Sequence, residues 1–117
     1  MRRHCVRVGL LVLAGGFVLG QALAASPEKG KAAFTKYGCW QCHGTLGQGS
    51  SITSAGKVLT DTELPYESFA AFVRTTNRAM PPYREQVLPD EDLADIYAYL
   101  KAVPKQPDHK TIPLLNQ

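Results

Sequence analysis

Cys39, Cys42 and His43, in the stretch GCWQCHG, place two thiols three positions apart and an imidazole directly after the second. Residues of these types at this spacing serve three chemistries: a redox disulfide, half of a zinc site, or covalent attachment of a haem. A thioredoxin-like disulfide needs a βαβ setting and makes no use of the adjacent histidine. A structural zinc needs four protein ligands, and downstream of this motif the only further histidine is His109, in a proline-rich tail. Haem accounts for all three side chains at once. Two thioether bonds from one turn of chain tie the macrocycle's edge to the backbone, and His43 can turn toward the iron.

A haem iron with one axial histidine takes its other ligand from an opposing segment. Met80, in NRAMPPY, is the only methionine beyond Met1. A lone methionine ordinarily fills an irregular gap in a core. Met80 instead lies outside the helical patterns of the chain. Pro81 and Pro82 behind it fix φ and remove two amide donors, which keeps the loop extended while it presents the thioether. The expected axial pair is therefore His43 and Met80, with His109 at the solvated surface. Such a pair leaves no open position for oxygen or peroxide, and the soft thioether favours reduced iron and raises the potential. The chain shows no paired-carboxylate motif for acid–base chemistry, and its acids from Asp90 to Asp95 are expected to form a solvated helix start. These residues point to outer-sphere, single-electron transfer rather than to an enzyme.

The elements that must hold them read as helices. Ser26 is a good N-cap, Pro27 suits the first helical position, and Gly30, Ala33, Phe34 and Tyr37 recur at helical spacing, which predicts a helix over about 27–37. Tyr66, Phe69, Ala70 and Val73 predict a second, beginning near Pro65 and fading at 75–77. Leu93, Ile96, Tyr97 and Leu100 predict a third, between the acids Asp90, Glu91 and Asp92 and the stop at Pro104. Neither strand alternation nor a Gly-rich phosphate loop interrupts this pattern. The expected class is all-α, three main helices with loops wrapped around one covalently attached haem. Residues 44–63, rich in Gly, Ser and Thr, make a loop longer than a simple connection and are expected to wrap over something.

The N-terminus predicts export. Arg2, Arg3 and Arg7 occur without an acid, the apolar run 8–20 is shorter than the ~20 residues that span a bilayer, and Ala22-Leu23-Ala24 has the small residues of a cleavage site. Cys5 lies ahead of the apolar run and is expected to leave with it. The expected organisation is a cleaved signal at 1–24, one domain at 25–104 and a tail at 105–117, in the periplasm without a transmembrane anchor after cleavage. Those three arginines account for the whole formal charge of +3, so the remaining chain is balanced. A general basic surface for nucleic acid or anionic lipid is not expected. A domain of this length has a modest core, which a large apolar cofactor would enlarge.

In order along the chain, GKAAFTKYGCWQCHGTLGQG, RAMPPY and LPDEDLADIYAYLKAV resemble three parts of the class I, monohaem c-type cytochromes: the N-terminal helix with its haem motif, the methionine loop and the C-terminal helix. The resemblance spans residues 25 to about 104. It implies the small cytochrome c fold, one haem c bonded to Cys39 and Cys42 with His43 and Met80 on its iron, and a close crossing of Gly30 and Phe34 with the C-terminal helix near Tyr97. Two positions depart from the family pattern. Gly56-Lys57-Val58-Leu59 stands where related sequences often have Gly-Pro-x-Leu, whose proline carbonyl accepts the Nδ1 proton of the axial histidine. Because that acceptor is backbone, Lys57 can supply it. Pro89 stands at a helix cap that is often Ser, so the acidic first turn must compensate.

The likeness to short bacterial members further implies redox protein partners. The donor would be an exported flavin or quinone dehydrogenase that oxidises alcohols, phenols or amines, and the acceptor a terminal oxidase or another cytochrome. A diffusing periplasmic carrier ranks ahead of a tightly bound cytochrome subunit of such a dehydrogenase, and both rank ahead of a haem enzyme or ligand sensor. Trp40, Gln41 and residues 80–83 are expected to frame the exposed haem edge. Arg74, Arg78 and Arg84 flank that edge as docking residues or as partners of the haem propionates. Ile112, Pro113, Leu114 and Leu115 are too few and too proline-rich for a core, and read as a loose terminus or a docking strap.

Overall fold

The computed structural model describes residues 24–50 and 56–115. The basic and apolar N-terminal segment, Cys5 with it, lies outside the described residues, as do part of the long loop and the last two residues of the tail.

Ser26 opens α1 (Pro27–Lys36): its Oγ accepts from the Lys29 amide at 3.3 Å, and Pro27 takes the first turn, where a missing N–H costs nothing. Gly38 closes the other end at φ +75°, a conformation that side chains disfavour. There the Gly38 amide donates to Thr35 O and the Cys39 amide to Phe34 O, each at 3.2 Å, the paired bonds of a Schellman stop. This stop sets the direction in which the chain leaves α1, and so where Cys39 begins the next turn. That turn is α2 (Trp40–His43), with the His43 amide bonded to Cys39 O at 3.0 Å.

The C-terminal helix α4 (Asp90–Ala102) crosses α1 at Gly30. A Cβ at this position would stand 1.9 Å from Asp95 O and 2.8 Å from Tyr99 Cβ, so glycine alone permits the approach. Phe34 meets Tyr99, ring centroids 5.7 Å apart. The expected contact near Tyr97 is thus displaced by half a turn. Tyr97 instead faces α3 (Tyr66–Thr75), 5.3 Å from Phe69 and 5.5 Å from Tyr66. The reason is helical pitch: positions 95 and 99 lie one above the other, whereas 97 is rotated by about 200° from 95.

Asp95, expected to be solvated, is buried and accepts from the Ser26 amide at 2.6 Å, which ties the entry of α1 to the middle of α4. Asp90, Glu91 and Asp92 occupy the first turn of α4, where the helix dipole favours acids, and Pro89 gives no side-chain cap. Phe34, Leu88, Leu93 and Leu100 are the most completely buried large side chains. The class is all-α, four helices without a strand among the described residues, the single-turn α2 joining the three expected helices. The tail forms two short 3-10 turns, His109–Thr111 and Pro113–Leu115, with Leu114 79% exposed. No described helix is long and apolar enough to cross a membrane.

Candidate functional site

A cavity of about 280 Å³ is bordered by α1, α3 and α4 and by the loops between them. Phe34 lines it from α1, Leu93, Ile96 and Leu100 from α4, and Phe69, Phe72 and Val73 from α3. Val58 and Leu59 of the long loop, Leu64 just beyond it, and Leu88 add to the apolar lining. Cys39, His43 and Met80 line the same space, and with Cys42 they line a smaller cavity of about 50 Å³ beside it. The Cys39–His43 motif and Met80, from two separate parts of the chain, are therefore neighbours.

His43 is buried, and its Nδ1 lies 2.8 Å from Lys57 O. A carbonyl only accepts, so Nδ1 carries the proton and the Nε2 lone pair is left for a metal. Lys57 thus supplies the backbone acceptor in place of the family's proline. The loop that carries it is pinned by Leu59 N–H to Gly47 O at 2.7 Å and Gly49 N–H to His43 O at 2.8 Å.

Cys39 and Cys42 are both free thiols. Burial pushes the Cys39 thiol up to about 11. Among the described residues no group of three or more His, Cys, Asp or Glu side chains is placed to hold a metal ion. His109 lies in the tail with Nδ1 3.3 Å from an Asp108 carboxylate oxygen, and it does not line the cavity.

Met80 is half-buried on a segment fastened from several sides. The Tyr83 amide donates to Val73 O at 2.9 Å and the Tyr83 hydroxyl to Tyr37 O at 3.0 Å. Burial raises the Tyr83 phenol above its ordinary range, and the neighbouring Cys39 and Cys42 add to the shift. Arg74 donates from Nη1 to Tyr83 O at 2.8 Å and to Leu88 O at 2.6 Å, and from Nη2 to Asp90 Oδ1 at 2.5 Å. Arg74 is therefore engaged inside the fold and separates from Arg78 and Arg84, which are exposed beside the same loop. No sequence signal marks this role, because two of its acceptors are backbone carbonyls, which any residue provides. Trp40 and Gln41 are exposed on α2.

The residues present fit a large, planar, apolar group with a metal at its centre. Val58, Leu64 and Phe72 line the cavity yet stand 46%, 48% and 52% exposed, apolar surface with no protein cover. Two thiols beside an imidazole with a free Nε2, and a thioether on the same lining, are the donor set of a haem c. Residues 25–100 match the family described as cytochrome C oxidase, cbb3-type, subunit III. The chain belongs to this family of c-type cytochromes. A cytochrome c domain implies covalently attached haem, and its chemistry is haem-based electron transfer with redox partners. No curated protein and no solved structure matches this cytochrome. The matched stretch ends inside α4, so the tail lies beyond it.

Proposed function

We propose that this cytochrome is a periplasmic single-electron carrier that holds one haem c through thioethers at Cys39 and Cys42, with His43 and Met80 as its axial ligands. Haem bound in this way supplies a one-electron iron couple with both axial positions filled. The observation that carries the reading is His43, its Nδ1 committed to Lys57 O at 2.8 Å, on the lining of a cavity that Met80 also borders. The carbonyl fixes one tautomer and one ring orientation and raises the basicity of the free nitrogen. The aliphatic and aromatic lining lowers the dielectric around a bound group, which tunes a potential. Lys57, Thr62 and Tyr83 are the polar neighbours of that lining besides the proposed ligands, and they include no carboxylate for acid–base work.

The signal-like pattern of residues 1–24 supports a periplasmic location. The proposed donor is an exported dehydrogenase and the proposed acceptor an oxidase or another cytochrome. A tightly bound subunit of a larger redox complex is the second reading. The matched family's description as an oxidase subunit and the exposure of Leu114 and Leu115 favour it. Size-exclusion chromatography of a native extract separates the two.

The deciding experiment compares oxidised and reduced spectra of the exported protein with those of Met80→Ala. The oxidised wild type is expected to show a near-infrared sulfur-to-iron band that Met80→Ala lacks, and the variant to have a lower potential and to bind added imidazole. A Met80→Ala spectrum identical to the wild type assigns the position to another residue and refutes the ligand set.

A further inference from the structure

Arg74 stands in the last turn of α3 with its side chain only 18% exposed, and electron transfer makes no direct use of it. Its three acceptors lie along the stretch from 83 to 90, which joins the Met80 segment to α4. Tyr83 O lies three residues beyond Met80, Leu88 O lies just before α4, and Asp90 is the first residue of that helix. Only a planar guanidinium fork reaches three acceptors spread in this way, and each bond gains strength from its charge. Tyr83 is held in turn on α3 through Val73 O and on the end of α1 through Tyr37 O. The other side of the Met80 segment is held more weakly, by Thr76 Oγ1 to Met80 O at 3.5 Å. The firm fastening of the segment is therefore at Tyr83, and Arg74 is its charged component.

We propose that Arg74 is a positioning residue for Met80: by gripping the backbone from 83 to 90 it keeps the thioether on the cavity and sets how often that ligand leaves the iron. This rests on the reading of Met80 as an axial ligand. An added ligand such as imidazole gains the iron when Met80 is off, so its apparent affinity scales with the fraction of protein in that state. Arg74 does not line the cavity. Tyr83 and Leu88, which it grips, do line it, so a positioning role is separated from general loosening by whether its influence on imidazole binding vanishes once Met80 is replaced.

The test titrates ferric holoprotein with imidazole in wild type, Arg74→Gln, Met80→Ala and the double variant, with the near-infrared band as a second readout. Arg74→Gln is expected to raise the apparent imidazole affinity by about tenfold or more and to weaken the band. With Met80 replaced, the same change is expected to alter affinity by less than about twofold. Where Arg74→Gln yields no holoprotein, Arg74→Lys is read in the same comparison, since one ammonium keeps the charge but not the fork. An equal shift in both backgrounds overturns the positioning role, as does no shift while Met80 is present. If instead Met80→Ala retains the wild-type band and imidazole affinity, the ligation reading fails and the proposal with it. A Met80-dependent band with imidazole binding indifferent to Arg74 removes the positioning role alone.

Discussion

Replacing Gly30 with alanine tests the close contact between α1 and α4. The new Cβ would lie 1.9 Å from Asp95 O, 2.5 Å from Asp95 C and 2.8 Å from Tyr99 Cβ. Two of these three atoms are backbone of α4, so no change of rotamer relieves the clash. The helices must part by about 1.5 Å to restore ordinary contact, a small-to-large insertion that costs about 1–3 kcal/mol. The same shift stretches the 2.6 Å bond from the Ser26 amide to the buried Asp95 carboxylate, adding about 1 kcal/mol. Alanine recovers about 1 kcal/mol through its better helix propensity.

The net expectation is a loss of about 2 kcal/mol, the overpacking term deciding the sign. In guanidinium unfolding followed by far-ultraviolet circular dichroism, that loss lowers the midpoint by roughly 0.5 M at an unchanged slope. The visible spectrum should stay as in the wild type, because the Schellman stop at Gly38 still directs Cys39 into α2. A Gly30→Ala protein as stable as the wild type would refute the reasoning, since helix propensity would then outweigh a crossing that is looser than 1.9 Å implies.

Replacing Cys39 or Cys42 with alanine is expected to leave the haem on one thioether or none and to lower accumulation of the protein; normal covalent haem with both replaced, read from denatured spectra, contradicts the attachment reading. Arg78→Glu and Arg84→Glu are expected to slow reduction by an acidic donor at low ionic strength and to matter less as salt rises, with the spectrum intact. A shifted potential with unchanged salt dependence would assign these arginines to the haem propionates instead. Deleting residues 106–117 is expected to change unfolding stability by less than about 0.5 kcal/mol, given the exposed Leu114 and Leu115, while slowing electron transfer from the native donor. Unchanged transfer kinetics reject the tail as a docking strap.

Much of the site was legible because its chemistry is written in residue types at fixed spacing. Cys39, Cys42 and His43 fit one turn of chain, and Met80 is scarce and braced by prolines, so neither needed a fold to be noticed. The carbonyl of Lys57 was legible for a different reason: a backbone acceptor survives replacement of the residue that carries it. Tyr97 and Tyr99 were harder, because α4 is covered on two sides and either tyrosine can satisfy an apolar stripe. Tyr99 faces Phe34 and Tyr97 faces Phe69, a choice made by the crossing angle of helices far apart in sequence. Asp95 was hidden for a similar reason. An acid in a run of acids reads as solvated until its partner, an amide 69 positions away, is brought beside it.

The apolar packing of this chain is finished on one side and open on the other. Where α1 and α4 cross, Phe34, Leu93, Leu100 and Tyr99 are buried by protein alone. Toward α3 the lining of the cavity includes Val58, Leu64 and Phe72, which are about half exposed. A helix of ten residues such as α3 is too short to be stable by propensity, so it depends on packing and on the bonds Arg74 makes across to Asp90. The two sides are therefore expected to open at different free energies, with the α1–α4 crossing and the cysteine motif holding longest and the Met80 side yielding first. The proposed attachment at Cys39 and Cys42 would suit that asymmetry: a group tied there would stay with the chain through openings of the Met80 side.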